Sequence, residues 1–173
     1  MHILHKILVR INGYSPIIAK DREALINMVR HRAEEMTEEY YGQAFDCRET
    51  DTAGRWSGVY PVNVLLSSDN INIFVEELKD CLEFRISEMQ YHLDNICKVS
   101  SDIKTLFDIE RRSPRSVPSW DLRCLSELMC GIYNFDSGFY NTEEYTAKIT
   151  ERTIETVKSS PDDWALVMFD YHY

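Results

Sequence analysis

The chain has 173 residues, 44% of them hydrophobic, and a formal net charge of −10. A chain of this size buries about 70% of its unfolded surface, so disorder is excluded as the default and one domain is the simplest organisation. Its acidity disfavours direct nucleic-acid binding, since phosphates are repelled everywhere except around Arg111, Arg112 and Arg115.

Met1 to Gly13 has neither the longer apolar core nor the small-residue cleavage site of a signal peptide, and no stretch reaches about eighteen consecutive apolar residues. The expectation is a soluble, intracellular protein without a membrane partner. Ile3 to Ile11 alternates apolar and polar positions, with Ile3, Ile7, Val9 and Ile11 on one face, as in a half-buried strand. Leu25, Val29, Ala33, Met36 and Tyr40 then recur at helical spacing and predict a helix from Lys20 to Tyr41, stopped by Gly42. Phe45 to Leu66 reads as a strand or hairpin containing Gly54-Arg55-Trp56-Ser57-Gly58. In a strand, Trp56 would share its face with the two glycines and be largely buried, while Arg55 and Ser57 would project from the other face.

A long helix is expected from Asp69 to Val99, with Ile71, Val75, Leu78, Leu82, Met89, Leu93 and Ile96 on one stripe. Ile103 to Ile109 suits a short helix, and Arg111 to Ser119, with its prolines and arginines, suits a loop. Leu122, Leu125 and Leu128 restart a helical face, and a strand is expected near Tyr133 to Tyr140. Asn141-x-x-Glu144 has the form of a capping box ahead of a helix to Lys158. Ser160-Pro161-Asp162-Asp163 turns the chain into a last strand, Trp164 to Tyr173.

With 67–131 set aside as a helical insertion, the order is βαββαβ. That is the ferredoxin-like plan, an α+β fold with one antiparallel sheet, in which the first and last strands are neighbours. Trp164, Leu166 and Met168 point one way, and Ala165, Val167 and Phe169 the other. A sheet that is apolar on both faces must be covered on both. The expected covers are the two framework helices on one side and the inserted helices on the other.

Cys47, Cys81, Cys97, Cys124 and Cys130 form an odd set without a C-x-x-C pair, which argues against a disulfide framework and a zinc finger. Reduced, mostly buried thiols are expected. There is no Walker loop, G-x-S-x-G or H-E-x-x-H, so no catalytic residue, metal or cofactor is predicted. The candidate ligand groove uses Arg55, whose planar fork suits a carboxylate or phosphate, with Asp170 and His172. Asp170 and His172 share a face at the end of the last strand, where a carboxylate can hold an imidazole in one tautomer. The plainer account is a filled core at Trp56 and a solvated strand end. His2 and His5 approach His172 if the terminal strands pair, a metal option with no carboxylate or cysteine at matching spacing.

Charge is uneven. Met1 to Ala19 holds Lys6 and Arg10 and no acid, whereas Asp69 to Asp94 holds seven acids against Lys79 and Arg85. Glu34, Glu35, Glu38 and Glu39 on the first helix make like-charge i,i+4 pairs, each unfavourable by roughly 0.2–0.5 kcal/mol, which Arg30 and Arg32 partly offset. Solvation accounts for such a face. The sharper alternative is a surface that imitates nucleic-acid phosphates and docks on a basic groove.

The Gly54 to Gly58 segment behind an amphipathic helix, together with an Asp162 to Tyr173 terminus carrying Asp-x-His, resembles small, largely uncharacterised phage and prophage proteins. The resemblance covers the framework and leaves out the helical middle. It implies origin on a mobile element, residence in a bacterial host's cytoplasm, and kinship with small acidic inhibitors of host defence, including anti-CRISPR proteins. The implied partner is a basic nucleic-acid-binding protein such as a Cas nuclease, and no catalytic residues come with it. Three functions follow as expectations: an inhibitor acting through Glu34, Glu35, Glu38 and Glu39; a ligand-binding protein or enzyme at Arg55, Asp170 and His172; and a structural or homo-oligomeric accessory protein.

Overall fold

The structure is a computed structural model that describes residues 2–11, 21–44 and 47–172. Its elements in chain order are β1 (His2–Arg10), α1 (Arg22–Ala44), β2 (Cys47–Glu49), β3 (Val64–Leu66), α2 (Ile71–Val99), α3 (Ile103–Arg112), α4 (Val117–Cys130), β4 (Phe139–Asn141), α5 (Glu151–Ser159) and β5 (Trp164–His172). The protein is therefore mixed α+β. No helix among the described residues is long and apolar enough to cross a membrane.

The sheet is organised around β5. Along its whole length β5 pairs antiparallel with β1, from His2 opposite His172 to Arg10 opposite Trp164. Its other edge is shared: β2 pairs with the Asp170–His172 end and β3 with Ala165–Val167, so the two short strands act as one interrupted strand. β4 closes the far side by running parallel to β1, with Ile7 opposite Tyr140.

This order departs from the ferredoxin-like plan in two ways. The segment after α1 adds to β5 rather than next to β4, and β4 runs parallel to β1, so the sheet is mixed. The cause is the connection between β3 and β4. A tight hairpin would force antiparallel neighbours, but three helices intervene, and a long crossover lets the chain return in the same direction.

Both sheet faces are covered, as the alternation in β5 requires, though not by the expected pairing of helices. Ala165, Val167 and Phe169 pack with Leu25, Val29 and Ala33 of α1. Trp164, Leu166 and Met168 pack with Phe74, Val75 and Leu78 of α2 and with Ile154 and Val157 of α5. The two framework helices thus lie on opposite faces, and α5 shares its face with the inserted α2.

Several boundaries move for identifiable reasons. α1 runs through Gly42, because a mid-helix glycine costs only about 1 kcal/mol; Lys20, Phe45 and Tyr173 lie outside the described residues. α4 starts at Val117, inside the expected loop, with Pro118 in the first turn, where its missing N–H is not needed. Asn141 belongs to β4 and caps only a turn, accepting from Glu143 N at 3.0 Å. The capping box of α5 is formed instead by Thr150 and Thr153.

The Gly54–Trp56 segment is a 3₁₀ turn, not a strand. Gly54 adopts φ +50°, and a Cβ there would lie 2.3 Å from Asp170 Oδ2. The glycine therefore serves a close approach of backbone to a buried carboxylate, with no role in making room for an indole. Trp56 is half-buried against the α2 face rather than largely buried, and Arg55 is exposed as expected.

Candidate functional site

Helix α2 is longer than the sheet it covers. Phe74, Val75, Leu78 and Cys81 pack on the strands, after which the helix continues against α4. Between this second half of α2, α4 and the β1 end of the sheet lies a groove of about 1030 Å³. Phe84 and Tyr91 of α2, Trp120 of α4, Phe135 and Trp56 supply its aromatic walls. Trp120 and Phe135 stack almost parallel, 5.5 Å between centroids and 12° between planes. Phe84 lies against Gly138, where φ is +58° and a Cβ would come within 2.7 Å of the ring. Asp80, Glu88, His2, Lys6, His92 and Asp136 add the polar groups.

Lys6 adds little free charge, because its ammonium meets Glu77 Oε2 at 2.5 Å and Tyr60 donates to the same oxygen at 2.9 Å. Burial opposes the lysine's charge, yet Cys81 and Glu77 together hold its pKa above the usual range. Glu88 is shifted upward, first by burial and then by the Asp136 charge.

The groove floor carries the densest chemistry. His92 of α2 is 3% exposed, and its Nδ1 lies 2.8 Å from Asp121 Oδ1 on α4. Asn95 donates to the same oxygen at 3.3 Å. The other ring nitrogen, Nε2, faces Asp136 Oδ2 at 3.5 Å, and neither atom has a hydrogen-bond partner. Cys124 stands one turn after Asp121 on α4, and ligand atoms of His92, Cys124 and Asp136 all lie within 4.8 Å of one another. Burial, then the charge and hydrogen bond of Asp136, push the Cys124 thiol up to about 12. Burial likewise raises Asp136, although Cys124 and His92 counter it.

Asp136 is held by its loop. Its amide donates to Asn134 Oδ1 at 3.0 Å, Ser137 Oγ donates to the same oxygen at 3.0 Å, and Asn134 Nδ2 donates to Glu127 Oε2 at 2.7 Å. The Asx turn on Asn134 therefore ties the loop to α4 and aims Asp136 at His92.

The residues singled out from the sequence are only partly brought together. Asp170 is buried and accepts from the Arg55 backbone amide at 3.0 Å, while its other oxygen meets His2 Nδ1 at 2.9 Å. Its link to Arg55 runs through the main chain, and the guanidinium does not form it. The His172 ring packs on His2 at 4.7 Å, and His2 in turn lines the end of the groove. His5 does not join them. It points to the α1 face, where Tyr133 Oη lies 2.8 Å from Nδ1, so no three-histidine cluster forms.

On α1, Glu35, Glu38 and Glu39 are exposed and Glu34 is half-buried. Glu38 pairs with Arg48, and Glu35 lies near His31 and Arg32. Sequence reasoning missed His92, Asp121, Cys124 and Asp136. The available signal was Asp121-x-x-Cys124, a spacing that puts a carboxylate and a thiol on one helix face. No protein-family model, curated protein or solved structure matches this chain.

Proposed function

We propose that the protein binds a small organic molecule in the groove between α2, α4 and the β1 end of the sheet. The observation that carries this reading is the aromatic-walled groove of about 1030 Å³ with polar groups converging at its floor. Binding sites are typically concave and mostly apolar, with a few polar groups that orient the ligand. Trp56, Phe84, Tyr91, Trp120 and Phe135 suit a flat apolar body. Asp80 and Glu88 on the walls and Asp136 at the floor disfavour phosphorylated or carboxylated ligands and favour an amine or another donor group.

Two of the three tryptophans, Trp56 and Trp120, line the groove, while Trp164 is buried in the core. Intrinsic fluorescence therefore reports occupancy directly. A panel of aromatic amines should give saturable quenching that matched aromatic carboxylates do not. Trp120→Ala should weaken binding about tenfold, near the lower end of what an aromatic anchor contributes, with little change in stability because Trp120 is exposed on one side. Absence of saturable quenching across the panel, or affinity indifferent to Trp120→Ala, would overturn the reading.

The exposure of Glu35, Glu38 and Glu39 favours a second reading, in which the acidic side of α1 docks on a basic nucleic-acid-binding protein, a Cas nuclease being the most specific case. Such binding should weaken as salt rises. The triple change Glu35→Lys, Glu38→Lys, Glu39→Lys should abolish capture of that partner from a bacterial lysate. The same reversal at Glu143, Glu151 and Glu155 should leave capture intact, and equal loss from both sets would mean that only bulk charge matters.

A further inference from the structure

We infer that His92, Cys124 and Asp136 form a binding site for a divalent transition metal, Zn²⁺ foremost, at the floor of the groove. The inference deepens the ligand-binding reading, since an ion there would offer a coordination position to a donor atom in the groove. It stands on its own geometry all the same.

The donor set is the first argument. One imidazole nitrogen, one sulfur and one carboxylate oxygen are the ligand types that borderline-soft Zn²⁺ takes, and hard Mg²⁺ or Ca²⁺ would call for oxygens alone. Spacing is the second. Two ligands 2.0–2.1 Å from an ion at a tetrahedral angle stand about 3.3–3.4 Å apart, and a nitrogen and a sulfur about 3.6 Å apart. His92 Nε2 and Asp136 Oδ2 are already 3.5 Å apart. The sulfur lies within the 4.8 Å that bounds the group and needs to close by about 1.2 Å at most.

The third argument is orientation. In the tautomer that donates from Nδ1 to Asp121, Nε2 presents its lone pair to Asp136. Two buried acceptors then face one another without a hydrogen bond, an arrangement that a cation between them relieves. Asp121, braced by Asn95, is the carboxylate that commonly orients a metal-binding histidine from behind. Access is the fourth. His92 and Asp136 line the groove and Cys124 is buried within reach of both, so an ion held by the three would take a fourth ligand from the groove side. Three ligands with one open position is the pattern of a catalytic zinc site rather than a structural one.

The test uses the full chain with Cys47, Cys97 and Cys130 changed to serine. These three thiols are exposed and would otherwise bind metal adventitiously, whereas Cys81 and Cys124 are buried. After chelator treatment and dialysis, titration with Zn²⁺ against a chromophoric competitor should show one ion per chain. Co²⁺ should give the intense visible bands of a four-coordinate site and a near-ultraviolet thiolate-to-cobalt band.

Cys124→Ser should abolish the thiolate band. His92→Gln and Asp136→Asn should each lower Zn²⁺ affinity at least ~10-fold, and Asp121→Asn should lower it by about 10–100-fold. A thiolate band that survives Cys124→Ser overturns the inference, as does Zn²⁺ affinity unchanged in both His92→Gln and Asp136→Asn. Should those variants fail to fold, the parent decides: no thiolate band in the three-serine protein overturns the inference. No organic ligand enters these measurements, and the fluorescence titration can be run in chelator, so either reading can fail without the other.

Discussion

Lowering the pH from 7 to 4 is expected to remove roughly 3 kcal/mol of stability through His5 alone. The ring is buried between Tyr133 and Tyr171, with centroids 5.3 and 4.6 Å away. Burial, only partly opposed by a backbone hydrogen bond at Phe135, lowers its pKa from 6.5 to about 3. Between those two values the unfolded chain holds a proton that the native ring refuses. The His5 contribution is therefore intact above pH 6.5 and is lost progressively as the pH falls toward 3. Carboxylates titrate over the same range, so the measurement is a comparison. Urea midpoints of wild type and His5→Asn, taken at several pH values, should converge as acid is added, because the variant lacks this proton uptake. Parallel curves would mean that the buried ring takes up its proton as readily as an exposed one.

The second large effect is expected at Gly54. An alanine there must adopt a left-handed φ and place its Cβ 2.3 Å from Asp170 Oδ2 and 2.5 Å from Asp170 Cβ. The conformation alone costs about 1–2 kcal/mol. Displacing a buried carboxylate from the Arg55 amide adds the loss of a charge-assisted hydrogen bond, about 1.5–3 kcal/mol. Gly54→Ala should therefore destabilise by roughly 3 kcal/mol or more. Asp170→Gly should also destabilise on its own, since it orphans the Arg55 amide and His2. Combined, the two changes should cost about 1 kcal/mol less than their sum, because the glycine at 170 removes the atoms that the new Cβ would strike. Strict additivity in denaturant melts would show that the clash is relieved by backbone movement and that Asp170 does not hold the turn in place.

Features that depend on neighbours in the chain were legible in advance. The alternation of Trp164 to Phe169 showed a strand covered on both faces, and the stripe of α2 and the turn at Ser160 to Asp163 came from the same local logic. Features decided by tertiary contact were not. The Gly54-Arg55-Trp56 run reads as a strand because nothing local reports the carboxylate of Asp170, whose close approach, with the left-handed turn, demands glycine there. Pro118 looks like a helix breaker unless the chain is known to be entering the helix at that point. The groove floor draws His92 from α2, Asp121 and Cys124 from α4, and Asp136 from the following loop. Their convergence follows from helix packing, and no local pattern joins them. Strand order was hidden for a related reason, since pairing partners are chosen by the sheet as a whole once a long helical crossover removes the constraint of a hairpin.

The central position of β5 also sets the timing of assembly. β1, β2 and β3 each pair with it, so during synthesis the first strand must wait until more than 150 further residues have emerged before its long partner exists. Until then β1 has only the three-residue β4 to pair with, and β2 and the apolar β3 have no edge to join. A nascent chain stalled anywhere before Trp164 is consequently a bearer of unpaired strands, a ready client for chaperones and for aggregation. Emergence of Trp164 to His172, rather than any earlier milestone, is the event on which completion of this sheet turns.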